Sequence, residues 1–178
     1  MDVRVNKNEK KIEWNVGSRT ITIHNAHVLY AFKHGKNLLM VKEKYESSES
    51  GFSIYDKCGN LVVSYKYLGD SLTFRVNIAD IKGAIISADY EEEKRMVIIL
   101  KELEETRSLL IYDEQGDFIA EIVSPQGYTF VSLKNSDGNI MVVAQGTSDM
   151  TRDSFGRNDW NFVIDFENFY VQKKSITQ

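Results

Sequence analysis

The residues best equipped for chemistry crowd into one stretch, 146–160, where Asp149, Asp153 and Asp159 alternate with Arg152 and Arg157 and Trp160 closes the run. Guanidinium and carboxylate groups at this density form charge-assisted, often bidentate pairs. Arg and Trp are also side chains that anchor protein interfaces. Two readings follow. The stretch is a recognition loop with Arg157 and Trp160 as its anchors. Or it is a self-satisfied Ω-like loop, held down by Arg–Asp pairs while the Trp packs on the scaffold. The three acids do not follow the alternate-residue spacing of an EF-hand calcium loop, so no metal is assigned to them. They could serve a hydrolase if they converge in three dimensions.

Other reactive types are sparse. Of the three histidines, His24 and His27 are three positions apart, which on a strand points them to opposite faces, and His34 falls in an expected hairpin turn. No cysteine pair joins them as zinc ligands. Cys58, the single cysteine, stands at a turn position that Gln115 fills in a matching segment, so it reads as an exposed, variable residue rather than an activated thiol. A Gly-x-Ser-x-Gly elbow, a P-loop and a dinucleotide-binding glycine run are all missing from the sequence. Glu104-Glu105 and the acidic run 91–93 lie between apolar segments and read as a solvated rim that would steer a basic partner. Tyr30, Tyr55, Tyr65, Tyr67, Tyr90, Tyr112, Tyr128 and Phe130 could stack on a sugar or a base. Tyr55 and Tyr112 share a repeat position and are expected first on the sheet face. No catalytic residue and no cofactor is assigned.

The scaffold that must position these residues is written in a recurring turn. Ile54-Tyr55-Asp56-Lys57-Cys58-Gly59 returns as Ile111-Tyr112-Asp113-Glu114-Gln115-Gly116, and in relaxed form as Val163-Ile164-Asp165-Phe166-Glu167-Asn168. Asp at the first turn position caps backbone N–H groups. Gly59 and Gly116 supply the left-handed conformation needed to rejoin the ladder, and Asn168 is expected to do the same. Upstream of each copy the paired segments 27–32 and 38–41, 84–88 and 96–100, and 128–133 and 140–143 read as hairpins, with turns at 34–37, 91–94 and 136–138. The run 96–100 is apolar throughout without a 3.6-residue period, so strand is preferred over helix there. Each unit is therefore a four-stranded antiparallel meander. The units fall at about 26–80, 81–126 and 127–178, after a partial one at 1–25 in which the polar stretch 6–11 is a degenerate turn. An array beginning in mid-unit allows its first strand to complete the last sheet and hide its edge.

At 178 residues with no Pro/Gly-rich linker, a single all-β domain is expected. The net charge of −4 argues against a nucleic-acid binder, which needs a basic footprint, and against an anionic membrane surface. One cysteine and a polar start without an apolar leader fit a reducing, cytoplasmic setting. A leader already removed stays an open alternative.

The units resemble the blades of β-propeller-like repeat proteins, with three to three-and-a-half repeats; a β-sandwich or barrel is the alternative. The segment Gly156-Arg157-Asn158-Asp159-Trp160-Asn161-Phe162-Val163-Ile164-Asp165 resembles a terminal segment of small bacterial proteins, some of them immunity-like partners of contact-delivered toxins. That resemblance implies a cytoplasmic interaction protein and no catalytic residue. The leading expectation is a non-catalytic module that binds a protein partner, a basic one by charge, through the loop 146–160. A small-ligand or carbohydrate-binding module is the second expectation and a hydrolase the third; a homodimer is open.

Overall fold

The structure, a computed structural model, describes residues 2–34, 36–45, 49–136 and 139–176. Its strands form four antiparallel sheets. The first holds β1 (Val3–Asn6), β2 (Lys11–Val16) and β3 (Arg19–His24). The second holds β4 (Val28–His34), β5 (Leu38–Lys44), β6 (Ser50–Asp56), β7 (Leu61–Lys66), β8 (Ser71–Phe74) and β9 (Ile78–Asp80). The third holds β10 (Ala84–Glu91), β11 (Met96–Leu103), β12 (Thr106–Asp113) and β13 (Phe118–Val123). The fourth holds β14 (Tyr128–Ser136), β15 (Asn139–Gly146), β16 (Asp159–Asp165) and β17 (Tyr170–Ile176). Each sheet runs in chain order as a meander, and none closes into a barrel. Among the described residues the other regular element is a turn of 3-10 helix, Asp149–Thr151; no helix is long and apolar enough to cross a membrane.

The all-β expectation holds, with sheets of three, six, four and four strands rather than uniform units of four. The second sheet gains β8, paired with β7, and β9, paired with β8, and the turn after β7 is tied to the next sheet. Leu68 N–H donates to Ile85 O, and Ile85 N–H to Gly69 O, both at 2.8 Å. Val3–Asn6 pairs with β2, and not with the last sheet as expected. The hairpin is closed locally by Asn6, whose Oδ1 accepts the N–H groups of Asn8 and Glu9 at 3.1 and 3.2 Å.

Consecutive sheets pack face to face, and the apolar strands show why. In β11, Val97 and Ile99 enter a cluster with Leu38, Ile54 and Val63 of the second sheet. Ile98 and Leu100 point the other way, into a cluster with Phe130, Val142 and Phe162 of the fourth. All four β11 residues are fully buried. A contiguous apolar run is thus a strand covered on both faces, each side chain adding about 1.5–3 kcal/mol of burial. Strand β5 repeats the device, with Leu38 toward the third sheet and Leu39 and Val41 toward Ile12 and Trp14 of the first. Among the described residues no hydrophobic cluster joins the first sheet to the fourth.

The Asp turns are built as their residues dictate. Asp56 Oδ1 accepts the N–H groups of Cys58 and Asn60 at 2.8 and 2.9 Å. Asp113 Oδ1 accepts those of Gln115 and Asp117, both at 2.9 Å. Gly59 and Gly116 take φ of +87° and +93°. The third copy departs from expectation. Asp165 Oδ1 accepts from Glu167 and Asn168, but the left-handed residue is Phe169, at φ +54°, and not Asn168. The loop is one residue longer, so Asn168 stays engaged with the carboxylate and the next residue makes the reversal. His34 is the last residue of β4, paired with Leu38, rather than a turn residue. Gly35, Asp137 and Gly138, in the expected first-hairpin turns of two units, lie outside the described residues.

Candidate functional site

The expected recognition loop connects β15 to β16, so Gly146 closes one strand while Asp159 and Trp160 open the next. Its middle is a further Asp-x-x-Gly turn. Asp153 Oδ1 accepts the N–H groups of Phe155 and Arg157 at 2.9 and 2.8 Å, Gly156 N–H returns to Asp153 O at 3.0 Å, and Gly156 has φ +77°. These are the bonds made at Asp56 and Asp113. The signal is present in the string Asp153-Ser154-Phe155-Gly156, where the surrounding charges mask it.

Four of the loop's charges pair internally. Arg157 binds Asp153 Oδ2 through Nε at 2.9 Å and Nη2 at 2.8 Å. Arg152 pairs with Asp149 at 2.9 Å. Desolvation pushes the Asp153 carboxyl up, but the Arg157 and Phe155 N–H groups and the Arg157 side chain outweigh it and hold it below its ordinary value. Under the loop lies a knot. Thr151 Oγ1 donates to Asn158 Oδ1 at 2.7 Å, and Asn158 Nδ2 to Gly146 O at 2.6 Å. Trp160 Nε1 donates to Thr151 O at 2.8 Å while its ring packs beside the core of the fourth sheet, with Lys173 Nζ over its face. The six residues singled out therefore divide. Asp149, Arg152, Asp153 and Arg157 pair within the loop, Trp160 tethers it, and Asp159 is exposed at the start of β16. What projects outward is Met150, 96% exposed, and Phe155, 81% exposed with Arg157 stacked on its ring.

Among the described residues no three His, Cys, Asp or Glu side chains, the loop acids included, are grouped so as to hold a metal ion. Cys58 is exposed. His27 stacks on Tyr45 at 4.5 Å between centroids. Glu43 is nearly fully buried and accepts from Asn25 Nδ2, Ser53 Oγ and Tyr45 OH, each at 2.6 Å, as a saturated structural carboxylate.

A second polar group has no signal in the sequence. A cavity of about 350 Å³ opens between the second, third and fourth sheets. At its wall His34 Nε2 meets Asp89 Oδ1 at 2.8 Å. The same oxygen accepts Tyr90 N–H at 2.7 Å and lies 3.4 Å from Asn135 Nδ2. Ser87 Oγ is buried and makes no hydrogen bond among the described residues. It is therefore not coupled to His34 as a nucleophile is to its base. Phe52 and Tyr65 stack at 5.4 Å along another wall. Burial pushes the Tyr65 hydroxyl up to about 12, so it remains protonated.

No family model and no curated protein matches the chain. The crystal structure of a functionally unknown protein from Desulfotomaculum acetoxidans DSM 771 is similar over 99% of this chain and 50% of its own, at 12% identity and a TM-score of 0.39. This chain thus spans half the length of that one.

Proposed function

We propose that the protein is a non-catalytic protein-interaction module whose contact element is the loop between β15 and β16. The observation that carries this is the pair Met150 and Phe155, 96% and 81% exposed on a loop tied from beneath. An isolated exposed apolar residue needs no explanation. Two large ones presented by one hydrogen-bonded loop offer a partner apolar surface to bury. The internal ion pairs leave little ordering to be done on binding, which is how preorganisation raises affinity. The acidic balance favours a basic partner, and an immunity-type inhibitor is the concrete form of this reading. The test is capture of a partner from the native host by the wild-type chain and by a Met150→Ser/Phe155→Ser variant. The double variant should fold as the parent and retain nothing specific. Retention of the same partner by both, or by neither, would overturn the assignment.

A further inference from the structure

We infer that the cavity between the second, third and fourth sheets is a binding site for a neutral monosaccharide. Its position follows from the fold. The first strands of the three sheets each carry a β-bulge near their start, between Val28 and Tyr30, Ile85 and Ser87, and Phe130 and Ser132. Bulges re-aim side chains and recur beside functional sites. Here β4, β10 and β14 bring His34, Ser87, Asp89 and Asn135 to one hollow.

Its chemistry narrows the ligand. The volume of about 350 Å³ lies at the small end of ligand sites. No Lys or Arg lines it while a carboxylate does, which disfavours phosphates and carboxylates. The His34, Tyr90 and Asn135 contacts of Asp89 all fall on Oδ1, which leaves Oδ2 to a ligand donor. The groups offered are mixed donors and acceptors: a hydroxyl, an imidazole and the second carboxylate oxygen. Ligand hydroxyls, which donate and accept at once, match such a set. Ser87 stands in the lining with a buried Oγ that has no hydrogen-bond partner among the described residues, an unmet cost that a ligand hydroxyl reaching it would offset. The remaining wall is apolar, with Met40, Ile86, Ala88 and Leu133 beside three aromatic rings: Phe52 and Tyr65 stack within, and Tyr67, 48% exposed, stands at the rim. Apolar ring faces of this kind cover the C–H face of a pyranose while its hydroxyls turn to the polar side.

The test is calorimetric titration of the full chain with D-glucose, D-galactose, D-mannose and N-acetyl-D-glucosamine, with choline and adenosine as cationic and planar rivals. Saturable binding of at least one monosaccharide is expected. Ser87→Ala should weaken it about tenfold, or about 1.4 kcal/mol, and Ser87→Leu, which fills the hollow, should abolish it. Tyr67→Ala lies at the rim, cannot disturb the core, and should also weaken binding. The Met150→Ser/Phe155→Ser variant should bind as the parent does. Overturning results are no saturable monosaccharide binding by the folded protein, binding of choline or adenosine instead, or sugar binding indifferent to Ser87→Ala and Tyr67→Ala.

Discussion

Replacing Gly146 by Ala should loosen the β15–β16 loop without touching any residue that faces outward. Gly146 does not sit at positive φ, so the effect is steric alone. A Cβ there would overlap Thr151 Oγ1 and Asn158 Oδ1 and crowd the Thr151 Cβ. Both side chains are short, and neither can swing clear without breaking the knot. At stake are the single Thr151 hydroxyl proton, which has Ser148 O at 2.5 Å and Asn158 Oδ1 at 2.7 Å as acceptors, and the bond from Asn158 Nδ2 to Gly146 O at 2.6 Å. For these two donors, at about 1 kcal/mol net per bond, the loss is about 2 kcal/mol. Reduced freedom of the unfolded chain returns about 0.4–1 kcal/mol. The balance, about 1 kcal/mol, corresponds to a fall in Tm of about 2–4 °C for a domain of this size. Urea unfolding and hydrogen exchange at the loop amides read it out, with exchange rising first within the loop. Partner capture should weaken although Met150 and Phe155 are intact. A Gly146→Ala variant with parental stability would refute the packing argument. Lowered stability with unchanged capture would refute the claim that loop rigidity serves binding.

Glu43→Ala should cost about 3 kcal/mol or more in urea unfolding, because Asn25, Ser53 and Tyr45 each lose an acceptor at about 1 kcal/mol or more apiece; Glu43→Gln, which keeps an acceptor oxygen, should cost about 1 kcal/mol, and equal losses would count against the network. The β11–β12 hairpin turns through Glu104 and Glu105, at φ +49° and +65°. The double change to Asn-Gly, the preferred pair for such a turn, should raise stability by about 1 kcal/mol and Tm by about 2–4 °C; a drop would show that the glutamates are held by something other than turn geometry. Asp165, through the N–H and side chain of Asn168, is held below its ordinary value as Asp153 is. A depressed folded pKa contributes stability above the unfolded value of about 3.9, lost as pH falls through the folded value. Amide protection at Phe155 and Asn168 should therefore be flat from neutrality to about pH 5 and decline below about pH 4; protection that survives to strongly acid pH would exclude the carboxylates as caps.

How much is legible in the sequence depends on range. Strands and Asp turns are local: alternation around Asp56 and Asp113 marks both the reversal and the faces of its strands, and the structure places them accordingly. Asp153 obeys the same rule but is hidden, because Thr151, Arg152 and Asn158 around it carry no alternation. Asn168 misleads because one extra residue in a turn moves the left-handed position, a change that composition does not register. The cavity is not legible at all. Asp89 stands 55 positions from His34 and 46 from Asn135, and each bond crosses from one sheet to another. Only packing of consecutive sheets brings these residues together, and nothing local specifies which polar residue of a strand will face the gap.

The geometry of β14 argues that the two candidate sites work independently. Tyr128, at its start, pairs with Gly146 beneath the loop, whereas Asn135, near its end, pairs with Ile140 and lines the cavity. At about 3.3 Å per residue those positions lie roughly 20 Å apart. Mutational effects separated by more than about 7–10 Å with no shared partner add. Ser87→Ala and the Met150→Ser/Phe155→Ser pair should therefore combine without interaction, each altering its own ligand alone. Coupling between them would require a two-state element spanning β14, and this strand is clamped to β15 along most of its length. A sugar that changed partner affinity would consequently point to movement of the whole fourth sheet against the third, through the cluster of Ile98, Leu100, Phe130 and Val142 that joins them.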